Sequence, residues 1–146
     1  MVLKILKVLW VFSLLAVLTV LMYVYAGLPE AVVVNENTKA VTLSKEILFY
    51  TALALIAIAN ALVFAVSRIY SEKDHDFKAW FYGFILCANL FFIIGLSFIS
   101  TYNSGEKFDY SRLGVIIYGS LALMAVWIIA WPVYALLKKF NRKQPV

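Results

Sequence analysis

The stretch Ala79–Gly105, AWFYGFILCANLFFIIGLSFISTYNSG, runs for 27 residues without an Asp, Glu, Lys, Arg or His. A helix rises 1.5 Å per residue, so about 20 apolar residues cross a hydrocarbon core roughly 30 Å thick. This one segment is therefore long enough to span a bilayer. Three more charge-free windows lie outward from it: Ile47–Ser67, Leu113–Leu137 and Val8–Pro29, of 21, 25 and 22 residues. Together the four hold 95 of the 146 residues. The whole chain is 64% hydrophobic and 14% charged with a mean hydropathy of +0.90, where a soluble domain carries roughly 25% charge. The longest polar segment, Glu30–Glu46, is far too short for an independent core. The expected fold is an all-α membrane protein: one four-helix domain over 1–146, with spans at about 5–27, 46–69, 78–101 and 111–137.

The first window has Lys4 and Lys7 before it and Val24-Tyr25-Ala26 near its end, as a signal peptide would. Its apolar run from Val8 to Ala26 exceeds the about 7–15 residues of a signal h-region, so it reads as a transmembrane helix. Four spans put both termini on one side. That side would carry Lys4, Lys7, Arg68, Lys73, Lys78, Lys138, Lys139, Arg142 and Lys143, nine of the thirteen basic residues; Lys39, Lys45, Lys107 and Arg112 fall opposite. The positive-inside rule then makes both termini cytoplasmic. It also explains the net charge of +5 without nucleic acid as a partner. Tyr23, Tyr25, Phe49, Tyr50, Tyr102 and Tyr110 would mark the outer interface, and Tyr70, Trp80, Phe81, Tyr82, Trp127, Trp131 and Tyr134 the inner one.

The first outer loop, Gly27–Lys45, follows Leu28-Pro29 with Ala31-Val32-Val33-Val34, the turn-forming Asn35-Glu36-Asn37-Thr38, and Lys39-Ala40-Val41-Thr42-Leu43. β-branched runs on both sides of an Asn-rich turn favour a short β-hairpin, packed on helix ends because a lone hairpin is marginal. Ser44 is placed to N-cap the second helix, with Glu46 in its first turn. Val33, Val34 and Glu36 are the candidate recognition residues of this loop.

Within the spans the polar residues of interest are Asn60 and Asn89. Burial without a partner is expensive in lipid, so interhelical hydrogen bonding between them is expected, with a substrate site as the alternative. Small residues recur at intervals of four: Ala57, Ala61 and Ala65 in the second span, Ala79, Gly83 and Cys87 in the third. Such ladders allow close helix approach, either as a seam between these two helices or as an oligomer contact. Cys87 reads as a small buried apolar residue. Asp74, His75 and Asp76 are adjacent on a turn rather than arranged to converge on a metal. No phosphate loop, nucleophile elbow or zinc-helix motif occurs. No catalytic, metal or cofactor site is expected, and charge-free spans disfavour proton or ion pathways.

Leu28-Pro29-Glu30 and the downstream Ser44-Lys45 resemble the N-terminal module of a bacterial multi-span membrane family of unknown function, also found at the head of peptide-toxin immunity proteins. In that module an L-P pair ends the first helix and S-K introduces the next. The resemblance covers about residues 8–67. The family loop carries an I-P-x-H-F/W-N-x-x-G core, where this chain has Val32-Val33-Val34-Asn35-Glu36-Asn37, without the His or the Gly. The resemblance implies an integral membrane binding or accessory protein, not an enzyme. The positive-inside bias and the absence of an N-glycosylation sequon fit a bacterial cytoplasmic (inner) membrane. Expected partners are membrane lipids and other membrane subunits or further copies of the chain. An immunity or sensor protein binding a peptide through loop 28–45 is the alternative; a small transporter or membrane enzyme is a third.

Overall fold

The computed structural model describes residues 1–35, 41–70, 74–105 and 110–141. They form α1 (Val2–Gly27), β1 (Ala31–Asn35), β2 (Val41–Ser44), α2 (Lys45–Ile69), α3 (His75–Asn103) and α4 (Tyr110–Asn141). Each of the four helices contains a segment long and apolar enough to cross a membrane. All four extend past the expected spans at one or both ends, α3 beginning at His75 rather than 78. Helical hydrogen bonding carries on beyond the apolar window wherever no breaker intervenes.

The helix ends follow local chemistry. Leu28 caps α1 in an extended conformation, φ −78° and ψ 143°; the ring of Pro29 clashes with a helical residue before it, so the helix stops there. The Ser44 side chain accepts a hydrogen bond from the Ile47 amide at 3.3 Å, and Glu46 stands in the first turn of α2. At the end of α3, Gly105 has φ 73°, the left-handed residue that commonly closes a helix.

The expected hairpin forms: β1 and β2 pair antiparallel, Val32 opposite Leu43 and Val33 opposite Thr42. The expected turn residues Glu36, Asn37 and Thr38, and Lys39 and Ala40 of the expected second strand, lie outside the described residues. Lys45 reaches back to Glu30 through its amide (3.1 Å to the Glu30 carbonyl) and its ammonium (2.6 Å to the carboxylate). β2 therefore runs directly into α2.

Helix α3 is the hub. It packs against α1, α2, α4 and β1, while α4 packs on α3. Tyr82, Ile85, Asn89, Leu96 and Asn103 lie along one side of α3, and Trp80, Gly83 and Cys87 along the opposite side, as 100° per residue requires. The first side buries the core. Near the hairpin Val17, Leu21, Val24, Leu28, Val32, Ile56 and Leu96 pack together. Toward the other end Trp10, Val63, Tyr82 and Ile85 form a second cluster.

Candidate functional site

Between these clusters lies a polar centre. Asn60 is 4% exposed and Asn89 fully buried. Their amides form a reciprocal pair: Asn60 Nδ2 donates to Asn89 Oδ1 at 2.9 Å, and Asn89 Nδ2 donates to Asn60 Oδ1 at 3.1 Å. The second Asn60 proton goes to the Ile56 carbonyl, one turn back on α2, at 2.8 Å. The second Asn89 proton goes to Ser13 Oγ at 2.9 Å, and the Ser13 hydroxyl donates to the Trp10 carbonyl at 2.8 Å. The Trp10 indole closes the set by donating to Asn60 Oδ1 at 2.8 Å. Three helices are thus tied at one level, and among the described residues no buried side-chain nitrogen or oxygen lacks a partner.

The chemistry of this centre is that of a fastener. Four amide N–H bonds, one hydroxyl and one indole are all engaged within the protein. Interhelical hydrogen bonds in a membrane contribute on the order of 0.6 kcal/mol each, while an orphaned buried donor costs about 1–3 kcal/mol. The network's main effect is therefore on which faces may meet. Any rotation of α1, α2 or α3 that separates the partners leaves orphans. Trp10 and Ser13 were not among the expected contacts; the available signal is an indole N–H inside an apolar window, which needs an acceptor when buried.

A second tie joins α3 to α4 on the opposite side of α3. Trp80 Nε1 donates to the Trp127 carbonyl at 2.7 Å, and Trp127 Nε1 donates to the Trp80 carbonyl at 2.9 Å. Gly83 makes room for this exchange: a methyl group there would overlap the Trp127 ring, lying 2.9 Å from its Cε2. The two tryptophans, expected as interfacial anchors, form a bolt between two helices. One helical turn before Trp80, Asp76 accepts from Lys138 at 2.7 Å and from the Tyr134 hydroxyl at 2.8 Å.

The expected seam between the two small-residue ladders does not form. Ala57, Ala61 and Ala65 are exposed on the outer side of α2, while Ala79 and Gly83 lie toward α4. The physical reason is Asn60. Ile56, Asn60 and Val63 are the buried residues of α2, and a helix that turns its asparagine inward turns these alanines out.

At the hairpin, Val32 is buried and Val34 is 44% exposed. Val33 is held by Asn103, whose Oδ1 accepts from the Val33 amide at 2.8 Å and whose Nδ2 donates to the Val33 carbonyl at 3.1 Å. The side-chain amide thus does for β1 what a neighbouring strand would do. Asn103 Nδ2 also donates to the Ile99 carbonyl at 2.9 Å. Glu36 lies outside the described residues. His75 and Asp76 open α3, and no group of three metal-ligating side chains occurs among the described residues. Cys87 is buried.

No protein-family model, no curated protein and no solved structure matches this chain.

Proposed function

We propose that this chain is a non-catalytic integral membrane protein that works by contact, as an accessory subunit of a larger membrane complex. The observation that carries this reading is the closed polar centre. Asn60 and Asn89, near the middles of their spans, have every amide proton engaged within the bundle, leaving none to receive a substrate. The outward-facing surfaces are apolar. The 114–140 stretch of α4 has no buried residue in its most apolar window, and such a surface suits lipid and the helices of neighbouring subunits. The charge distribution supports cytoplasmic termini, and we place the protein in a bacterial inner membrane. Extraction in a mild detergent followed by native mass measurement tests the reading. Association with other subunits is expected; recovery only as a lone 16.5 kDa chain overturns it.

A second reading, an immunity or sensor protein that recognises a peptide at the outer loop, is favoured by the hairpin's fixation. The Asn103–Val33 pair and the Glu30–Lys45 ion pair hold it on the helix ends with Val34 outward. The likeness to the immunity-protein module belongs to this reading. If Val33 and Val34 can be replaced by Ser without changing protection or signalling, the reading fails.

A further inference from the structure

The two edges of the hairpin are not alike. Val33 gives both its amide and its carbonyl to Asn103, so it exchanges no hydrogen bond with Thr42, the residue opposite it in β2. Hydrogen-bonded and non-hydrogen-bonded pairs alternate along an antiparallel ladder, and the bond from the Lys45 amide to the Glu30 carbonyl keeps that alternation. The N–H and C=O of Thr42 therefore point to the far side of β2, away from β1. Thr42 is exposed, and among the described residues neither group has a partner. One edge of the sheet is sealed by a side chain of α3, and the other is open. β2 runs directly into α2, whose outer side carries Ala54, Ala57, Ala61 and Ala65, all exposed.

We propose that the open edge of β2 pairs antiparallel with β2 of a second copy of this chain, while the two α2 helices meet along their alanines. Magnitude and symmetry select this occupant. The two backbone hydrogen bonds that Thr42 offers fall well short of the freedom lost on association, so the edge alone does not hold a free peptide. Its occupant must also cover the surface that continues from it. That surface is α2, where small side chains let another membrane helix approach closely. A second copy brings both a strand and such a helix. Symmetry points the same way. Val32 turns its side chain in among Val24, Leu28 and Leu96, so the hairpin lies across the helix ends with its open edge sideways. Copies in one membrane share one orientation, which sets a two-fold axis between them along the membrane normal. That axis stands perpendicular to the sheet, as the axis relating two neighbouring antiparallel strands does. Across it Thr42 faces the partner's Thr42, each N–H donating to the other carbonyl, so that one surface serves both sides of the contact. The inference needs only membrane-crossing helices and does not rest on the accessory-subunit reading.

Energy transfer between copies tests this pairing. The full chain carrying Cys87→Ala and Lys139→Cys is labelled with donor or acceptor, mixed in phosphatidylcholine vesicles and diluted with lipid. Transfer above that of random encounter is expected, falling as lipid is added. Thr42→Pro removes the edge N–H, which no hydrogen bond of the fold uses, and Ala61→Leu adds bulk on the exposed side of α2. Each should move the midpoint to about tenfold less lipid, while Val115→Leu, at an exposed position of α4, should leave it in place. In native membranes and a Cys87→Ala background, Thr42→Cys should oxidise to a disulfide-linked dimer in large excess over Val34→Cys on the same hairpin. Transfer no greater than random encounter in the labelled parent chain overturns the proposal without recourse to the edge variants. Transfer indifferent to Thr42→Pro or to Ala61→Leu places the contact elsewhere and overturns it too, as does equal cross-linking at Thr42→Cys and Val34→Cys. A native complex holding a single copy beside other subunits overturns it and leaves the accessory reading standing.

Discussion

Replacing Asn89 with Ala removes three hydrogen bonds, two to Asn60 and one to Ser13, and leaves one Asn60 N–H unpaired in the core. At about 0.6 kcal/mol per membrane hydrogen bond and about 1 kcal/mol for the orphan, the loss is about 3 kcal/mol. Asn60→Ala removes the same reciprocal pair and the Trp10 bond, orphaning the indole and one Asn89 proton, for about 4 kcal/mol. The double variant loses four interhelical bonds but keeps only one orphan, the indole, so its cost is about 3 kcal/mol and not the sum of the two. A coupling of about 3 kcal/mol is therefore expected in the double-mutant cycle. Unfolding by sodium dodecyl sulfate in mixed micelles, followed by far-ultraviolet circular dichroism, measures each variant. Additivity within about 0.5 kcal/mol would refute the claim that the two amides act as one unit. Trp10→Phe is the internal check. Asn60 Oδ1 keeps its bond from Asn89, so this change should cost less, about 1 kcal/mol.

Gly83→Ala should force α3 and α4 apart at the Trp127 ring and destabilise the protein by about 1–3 kcal/mol, while Gly95→Ala, where a methyl group meets nothing within 4 Å, should not; the same unfolding assay reads both. Asn103→Leu should release the edge of β1, seen as faster hydrogen exchange at the Val33 amide and faster proteolysis of the outer loop, with the helical transition little changed. In a Cys87→Ala background, Val34→Cys should react with an impermeant maleimide on intact cells; protection until the cells are broken would reverse the orientation.

Much of the fold was legible in the sequence because a membrane helix is a local property. A run of about 20 apolar residues can satisfy its backbone in lipid only by forming a helix, whatever its neighbours do. Hence four windows became four helices, Ser44 became a cap and Pro29 ended α1. The hairpin was also readable, since β-branched runs flanking a turn are a short-range signal. Asn60 and Asn89 were singled out for a related reason: two amides in apolar windows demand partners.

What the sequence could not decide was which faces meet. The regular spacing of Ala57, Ala61 and Ala65 suggests a seam, yet turning them inward would point Asn60 away from Asn89. The polar centre draws on Trp10, Ser13, Asn60 and Asn89 from three helices, with hydrogen-bond partners up to 76 residues apart in the chain. The Trp80–Trp127 exchange spans 47. Sequence by itself determined four apolar helices, the Ser44 cap, the stop at Pro29 and the charge asymmetry of the helix ends, because hydropathy and end chemistry act within a turn or two. Tertiary structure alone decided their rotations, because a buried donor is satisfied only by the acceptor that packing brings within about 3 Å of it.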